Sequence, residues 1–170
     1  IAGDLFIDCS GSRALLLGQH YGIPICDKND ILFNNTALAA QIPYSNDNDP
    51  IASCTLSTAQ TAGWIWDIGL PTRRGIGHVY SSAHNSEERA TEELLGYIAT
   101  TAGKKLAAAA TLRKVEFSPG HRTKFWHKNC VAIGMSAGFI EPLEASALVL
   151  VELSAAMIAE QLPASRDHMD

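Results

Sequence analysis

The stretch Asn129-Cys-Val-Ala-Ile-Gly-Met-Ser-Ala-Gly-Phe-Ile-Glu-Pro-Leu-Glu-Ala-Ser-Ala147 decides how the fold is interpreted. Residues 129–133 are mostly apolar, which is typical of a buried strand. The small residues from Gly134 to Gly138 predict a tight turn, because they let backbone segments approach closely. Proline suits the first turn of a helix, so Pro142 predicts the start of a long α-helix that ends near Gln161.

The middle of the chain predicts a group of mostly antiparallel strands. Alternating side chains and glycine punctuation indicate strands at residues 51–62, 64–68 and 75–82. On the second of these, both tryptophans are expected on one face and the isoleucines on the other. Ser86 then caps a predicted helix. The sequence therefore predicts an α+β fold with central, mostly antiparallel strands and a long helix after residue 142.

Composition limits the classes of function that the chain can have. It has 170 residues, of which 46% are hydrophobic and 18% charged, as in an ordinary globular domain. The net charge of -5 argues against a nucleic-acid partner, which needs a basic surface. No apolar stretch is long enough to span a membrane, and the four cysteines are predicted to be reduced thiols. A cytoplasmic protein without a membrane partner is expected.

No metal site is predicted. His127 and Cys130 lie three positions apart, near His121, which invites a zinc interpretation. A zinc site needs a second pair of ligands at suitable spacing, and the sequence offers none.

The turn at residues 134–138 has two functional interpretations. Gly134-Met-Ser-Ala-Gly138 satisfies the G-x-S-x-G pattern of a serine hydrolase, with Ser136 as nucleophile. Three residues separate this turn from Pro142, however, and His168 is the only histidine that follows, so the triad pattern is poor. Alternatively, the turn cradles a cofactor whose anionic or electron-rich edge faces the N–H groups of the next helix. A tight turn with only a packing role is the third alternative.

Three motifs carry a resemblance to a known family. Gly63-Trp-Ile-Trp-Asp-Ile68 resembles the GWxWxI signature of flavin-dependent tryptophan halogenases. Phe139-Ile-Glu-Pro-Leu-Glu144 resembles the F-x-E-P-L-E segment of that family, and Asp4-Leu-Phe-Ile-Asp-Cys-Ser-Gly11 is similar to its strand after the flavin-binding half. The motifs occur in the family's order, and the resemblance extends from about Asp4 to Leu162. It implies part of a fold like that of FAD-dependent aromatic hydroxylases.

The resemblance also implies an activity. In this family, reduced FAD from a separate flavin reductase, together with O₂, oxidises a bound halide such as chloride. The hypohalous species then halogenates a small, electron-rich aromatic substrate such as tryptophan or another indole, often in antibiotic biosynthesis. A flavin-dependent monooxygenase that does not halogenate is the main alternative.

The family's site residues carry over onto matching positions. Glu144 matches the active-site glutamate, which stabilises charge on the ring or holds the hypohalous proton. Met135 stands where related hydroxylases have an aspartate. The resemblance assigns flavin contacts to Gly134, Met135, Ser136, Ala137 and Gly138, halide contacts to Ser146 and Ala147, and positions near the tunnel to Trp64 and Trp66.

The chain is expected to be an interior piece of a halogenase. It opens on Ile1 without a methionine, and a predicted strand begins at residue 4. The family's G-x-G-x-x-G motif and its catalytic lysine have no match in the sequence. Residues 1–170 are therefore predicted to be a single partial domain that lacks the N-terminal dinucleotide-binding segment and the C-terminal helical part. Such a piece would neither bind FAD tightly nor halogenate by itself.

Overall fold

A computed structural model describes residues 2–46, 48–165 and 168–169. Contacts group the chain into two compact units, residues 1–32 with 118–170, and residues 33–117. In chain order, the β-strands and α-helices of the described residues are β1 (Phe6–Asp8), β2 (Ile25–Asp27), β3 (Thr36–Pro43), β4 (Leu56–Gln60), β5 (Gly63–Gly69), β6 (Arg73–Tyr80), α1 (Glu87–Thr101), α2 (Lys104–Ala109), β7 (Arg113–Glu116), β8 (Gly120–Arg122), β9 (Trp126–His127), β10 (Cys130–Ala132), β11 (Gly138–Phe139) and α3 (Ser146–Glu160).

The unit of residues 33–117 is an antiparallel sheet covered by helices. Its five strands lie in the order β4-β5-β6-β3-β7, and every neighbouring pair is antiparallel. Ser86 caps α1 by accepting a hydrogen bond from the Arg89 backbone N–H at 3.2 Å. Buried Leu38, Ile65 and Ile76 of the sheet belong to the same core cluster as helix residues of α1. The predicted meander and the capped helix are thus confirmed.

Two details of this sheet differ from the prediction. Strand β4 covers Leu56–Gln60 instead of residues 51–62. The isoleucines of β5 are divided between its faces: Ile65 is buried, whereas Ile68 is 39% exposed. The reason is the two-residue period of a strand, which puts Ile68 on the face of the tryptophans and turns Asp67 to the buried side.

The other unit contains two small sheets. One has the order β1-β10-β9, in which β1 and β10 are parallel, and the other has the order β11-β8-β2 with antiparallel pairs. Leu17, Cys130 and Ala132 form the buried cluster beneath the first sheet. The predicted strand at residues 129–133 is confirmed, and the mixture of helices with mostly antiparallel strands confirms the α+β class.

The long helix begins later than predicted. α3 covers Ser146–Glu160, and residues Leu143–Ala145 form a 3₁₀ turn after Pro142. Glu144 and Ala145 have left-handed backbones, with φ of 53° and 54°, so the right-handed helix cannot pass through them. Within the described ranges, no helix has both the length and the apolar character needed to cross a bilayer.

Candidate functional site

An apolar cleft of about 920 Å³ lies in the unit of residues 1–32 and 118–170. One wall is the face of α3 that carries Val151, Ser154 and Ile158. The predicted site residues that line the cleft are Gly134, Met135, Ala137, Gly138 and Ala147. The structure therefore brings most of the predicted flavin turn and one predicted halide residue to the same cavity.

Close backbone approach explains the two glycines of this turn. Gly134 is left-handed, with φ of 68°, and a Cβ there would lie 3.2 Å from Cγ2 of Val151. At Gly138, a Cβ would come within 2.4 Å of the Gly120 carbonyl oxygen, because β11 pairs with β8 at this point. A side chain at either position would displace the turn from the cleft wall.

Ser136 belongs to the turn, but it does not line the cleft. Its side chain is fully buried at 0% exposure. The hydroxyl contacts the carbonyl oxygens of Asp8 and Ile133, the latter at 2.8 Å. Ser136 therefore ties the turn to the neighbouring strand, and a hydroxyl placed this way is not available to attack a substrate. The serine-hydrolase interpretation is not supported.

We expect a fluorophosphonate probe to leave Ser136 unlabelled. Such probes report an activated, accessible serine, and Ser136 is neither accessible nor adjacent to a general base among its bonded partners. The measurement is mass spectrometry of the probe-treated protein, with a serine hydrolase as positive control. A covalent adduct on Ser136 would restore the hydrolase interpretation.

Asp8 organises the backbone on the far side of Ser136. Its buried carboxylate accepts hydrogen bonds from the backbone N–H groups of Ser10, Leu16 and Leu17 at 2.8–3.1 Å. Burial raises the pKa of Asp8, but these bonds and the Ser10 hydroxyl outweigh it, so the pKa lies below its ordinary value. The only hint in the sequence was a carboxylate at the end of an apolar strand.

Arg122 supports the turn from another side. Its Nε donates to the Ser136 carbonyl at 3.1 Å, and its Nη1 donates to the Ile23 carbonyl at 2.7 Å. The residue is 9% exposed, so both bonds are largely shielded from water. Sequence reasoning missed this role, since the partners of Arg122 lie 14 and 99 positions away in the chain.

We expect Asp8→Asn to lower the free energy of unfolding at pH 7 by about 1–3 kcal/mol, because the asparagine NH₂ group would face backbone N–H donors that now bind a carboxylate oxygen. The native pKa of Asp8 lies below the unfolded value of about 3.9. Its contribution is therefore complete above the unfolded pKa and is lost as the pH falls through the native pKa. Denaturant titrations between pH 7 and pH 3 measure both effects. The exposed Asp30→Asn is the control, and identical pH profiles for wild type and Asp8→Asn would contradict the prediction.

Glu144 and Ser146 lie at the start of α3 and do not line the cleft. The Glu144 side chain is exposed. The Ser146 hydroxyl donates to the Glu141 carbonyl at 2.6 Å, and the Ser146 backbone N–H donates to the Leu143 carbonyl. Both donors of Ser146 are thus engaged within its own loop, whereas Ala147 faces the cleft.

The two tryptophans belong to the unit of residues 33–117. Trp64 and Trp66 lie on the same face of β5, as predicted, with ring centroids 6.2 Å apart in an edge-to-face arrangement. Trp66 covers Gly77 of β6 so closely that a Cβ there would lie 2.1 Å from its ring. Both rings are half-buried.

A polar network fixes the buried side of the same strand. Arg74 binds the Asp67 carboxylate through Nε, at 3.1 Å, and through Nη2. The Tyr97 hydroxyl donates to the same carboxylate at 3.0 Å, and Arg74 also binds the backbone and side chain of Thr101. The hydrogen bond to Asp67 raises the pKa of Arg74. Asp67 thereby joins the tryptophan strand to α1.

The thiols and imidazoles form no metal centre among the described residues. Over residues 2–46, 48–165 and 168–169, no three histidine, cysteine, aspartate or glutamate side chains are grouped as ligands. Cys9, Cys26, Cys54 and Cys130 are free thiols.

Comparisons with known proteins give a consistent result. The family model described as tryptophan halogenase matches residues 1–169. Tryptophan 6-halogenase SttH of Streptomyces toxytricini is 36% identical over 168 residues, which cover 99% of this chain and 31% of that protein. The chain thus spans about a third of the length of such relatives.

Solved structures resemble the chain closely. A tryptophan halogenase from Shewanella frigidimarina NCIMB 400 superposes with a TM-score of 0.92 at 54% identity, covering 100% of this chain and 32% of that one. BrvH, a flavin-dependent halogenase from Brevundimonas sp. BAL3, gives a TM-score of 0.86 at 38% identity, with 99% and 33% covered.

Proposed function

The chain belongs to the tryptophan halogenase family, and from that membership we propose that the protein containing it halogenates an electron-rich aromatic substrate with reduced FAD, O₂ and a halide. The observation that carries the proposal is the match to the family over residues 1–169. Two features agree with it. The small-residue turn faces an apolar cleft, and Ser136 is withdrawn from any role as a nucleophile.

The cleft fits a flavin ring. A flat heteroaromatic ring needs an apolar slot that backbone can approach closely, and Gly134, Ala137 and Gly138 provide such a wall. Met135 adds an apolar side chain to the same wall. These residues would hold the ring, while Ser136 supports the turn from below. When bound and reduced, FAD would supply two electrons that reduce O₂ to the peroxide level, the oxidant that converts the halide to hypohalous acid.

Glu144 is proposed as the catalytic carboxylate. It is exposed at the beginning of α3, where a substrate or a hypohalous acid can reach it. A carboxylate there can accept a hydrogen bond from the hypohalous acid or stabilise positive charge on the attacked ring. The halide is assigned to the start of α3 at Ala147, because both donors of Ser146, the other position that the resemblance gives to the halide, are bonded within its own loop. Trp64 and Trp66 are proposed to lie near the route between halide and substrate.

We propose that residues 1–170 are the middle portion of a longer polypeptide. α3 supports this, because none of its fifteen residues is buried and Leu148 is 71% exposed. A helix this apolar is normally buried, so residues outside this chain would cover the surface of α3 that does not face the cleft. The remaining parts would supply the dinucleotide-binding segment and the helices over the substrate. A separate flavin reductase as the source of reduced FAD, a small aromatic substrate and a cytoplasmic location complete the proposal.

The test is halide-dependent turnover of the full-length protein. The protein is supplied with FAD, NADH, a flavin reductase and tryptophan, and products are analysed by mass spectrometry with chloride, with bromide and without halide. Halogenated product that requires halide supports the proposal. Hydroxylated product without halide would favour the non-halogenating monooxygenase, and no product with any of several indoles would contradict the proposed substrate class.

A further inference from the structure

The segment from Glu141 to Ser146 forms a loop closed by one side chain. The Ser146 hydroxyl donates to the Glu141 carbonyl at 2.6 Å, across five residues. Inside the loop, Glu144 and Ala145 are consecutive left-handed residues, with φ of 53° and 54°. α3 begins directly afterwards.

Two adjacent left-handed residues with side chains need support from their surroundings. Their Cβ atoms crowd the following carbonyl oxygens, which disfavours this conformation for every residue except glycine, asparagine and aspartate. Such strain persists where other interactions hold it, and it concentrates at functional sites. Here the strained pair contains the proposed catalytic carboxylate.

We infer that Ser146 is a positioning residue: its hydroxyl latches the loop and thereby holds Glu144 in its left-handed conformation. This inference rests on the proposed function, because that function gives Glu144 its role. The hydroxyl bonds to Glu141, and the Ser146 backbone N–H bonds to the Leu143 carbonyl. Ser146 therefore acts on Glu144 through the loop rather than as a direct ligand.

The latch also sets where α3 begins. With the loop closed, the first helical turn presents Ala147 to the cleft, while Glu144 stays exposed outside it. If the loop opened, the carboxylate and the first N–H groups of the helix would lose their fixed relation. The hydroxyl at position 146 thus fixes the position of the Glu144 carboxylate relative to α3 without touching the reacting atoms.

Amide hydrogen exchange of the 170-residue chain tests the latch without any need for activity. Losing one hydrogen bond should raise exchange at residues 143–147 about fivefold in Ser146→Ala. Ser146→Thr keeps the hydroxyl and should restore the wild-type rate. Ser154→Ala is the matched control, because the Ser154 hydroxyl donates to the Leu150 carbonyl at the same 2.6 Å, within regular α3. It should leave residues 143–147 unchanged.

A second variant separates the latch from general damage to the helix. Glycine adopts left-handed backbone without strain, so adding Ala145→Gly to Ser146→Ala should slow exchange at residues 143–147 again. In the full-length enzyme, Ser146→Ala should lower kcat with little change in KM, and Ser146→Thr should recover kcat.

Either of two results would overturn the inference. One is equal exchange at residues 143–147 in Ser146→Ala and Ser154→Ala. The other is a Ser146→Thr protein that behaves like Ser146→Ala. Failure of the proposed function would instead leave the exchange differences intact and abolish only the kcat effect, so the two failures are distinguishable.

Discussion

Replacing Glu144 by glutamine in the full-length protein is expected to lower kcat for halogenation by about 10²–10⁴-fold, the range that a positioned general acid or base contributes. The amide keeps the size of the side chain but cannot take a proton or carry negative charge. The substitution leaves folding intact, because Glu144 is exposed. The measurement is the steady-state rate of halogenated product at saturating substrate and halide.

Glu92→Gln is the control for this experiment. Glu92 is also exposed but lies on α1, so its substitution makes the same change of charge away from α3. We expect its kcat to stay within about twofold of wild type, since screening weakens the effect of a distant exposed charge. Equal rates for Glu144→Gln and wild type would remove Glu144 from the mechanism, whatever the family resemblance implies.

Local sequence rules identified the strand, the turn and the helix around residues 129–160 but not the loop between turn and helix. Proline fits a first helical turn, so Pro142 was a reasonable start for α3. The left-handed conformations of Glu144 and Ala145 are unexpected from their residue types. They coincide with the bond between Ser146 and Glu141, and no local helix signal encodes such a bond.

Contacts between residues that are distant in the chain could not be predicted from the sequence either. Ser136 and Asp8 are 128 positions apart, yet the hydroxyl of the buried serine contacts the Asp8 carbonyl oxygen. A G-x-S-x-G pattern contains no information about that neighbour. The common face of Trp64 and Trp66, by contrast, follows from the period of a single strand and was predictable. The same period turns Asp67 inward, which is tolerable only because Arg74 and Tyr97 meet it there.

We expect Asp67→Ala to lower the free energy of unfolding of this chain by about 3–5 kcal/mol, the usual cost of removing one partner of a buried ion pair. The substitution would leave the Arg74 guanidinium and the Tyr97 hydroxyl without the carboxylate that both now bind. Because Asp67 joins β5 to α1, the strand that carries Trp64 and Trp66 would loosen at the same time. Urea denaturation followed by tryptophan fluorescence measures the loss of stability.

Glu116→Ala provides the matched control for Asp67→Ala. Glu116 also forms an ion pair, with Lys114 Nζ at 2.9 Å, but its side chain is 72% exposed. Exposed pairs contribute only about 0–1 kcal/mol, because water and salt screen them. The comparison therefore tests what burial adds to an ion pair. A loss in Asp67→Ala as small as the loss in Glu116→Ala would mean that Asp67 does not anchor the tryptophan strand.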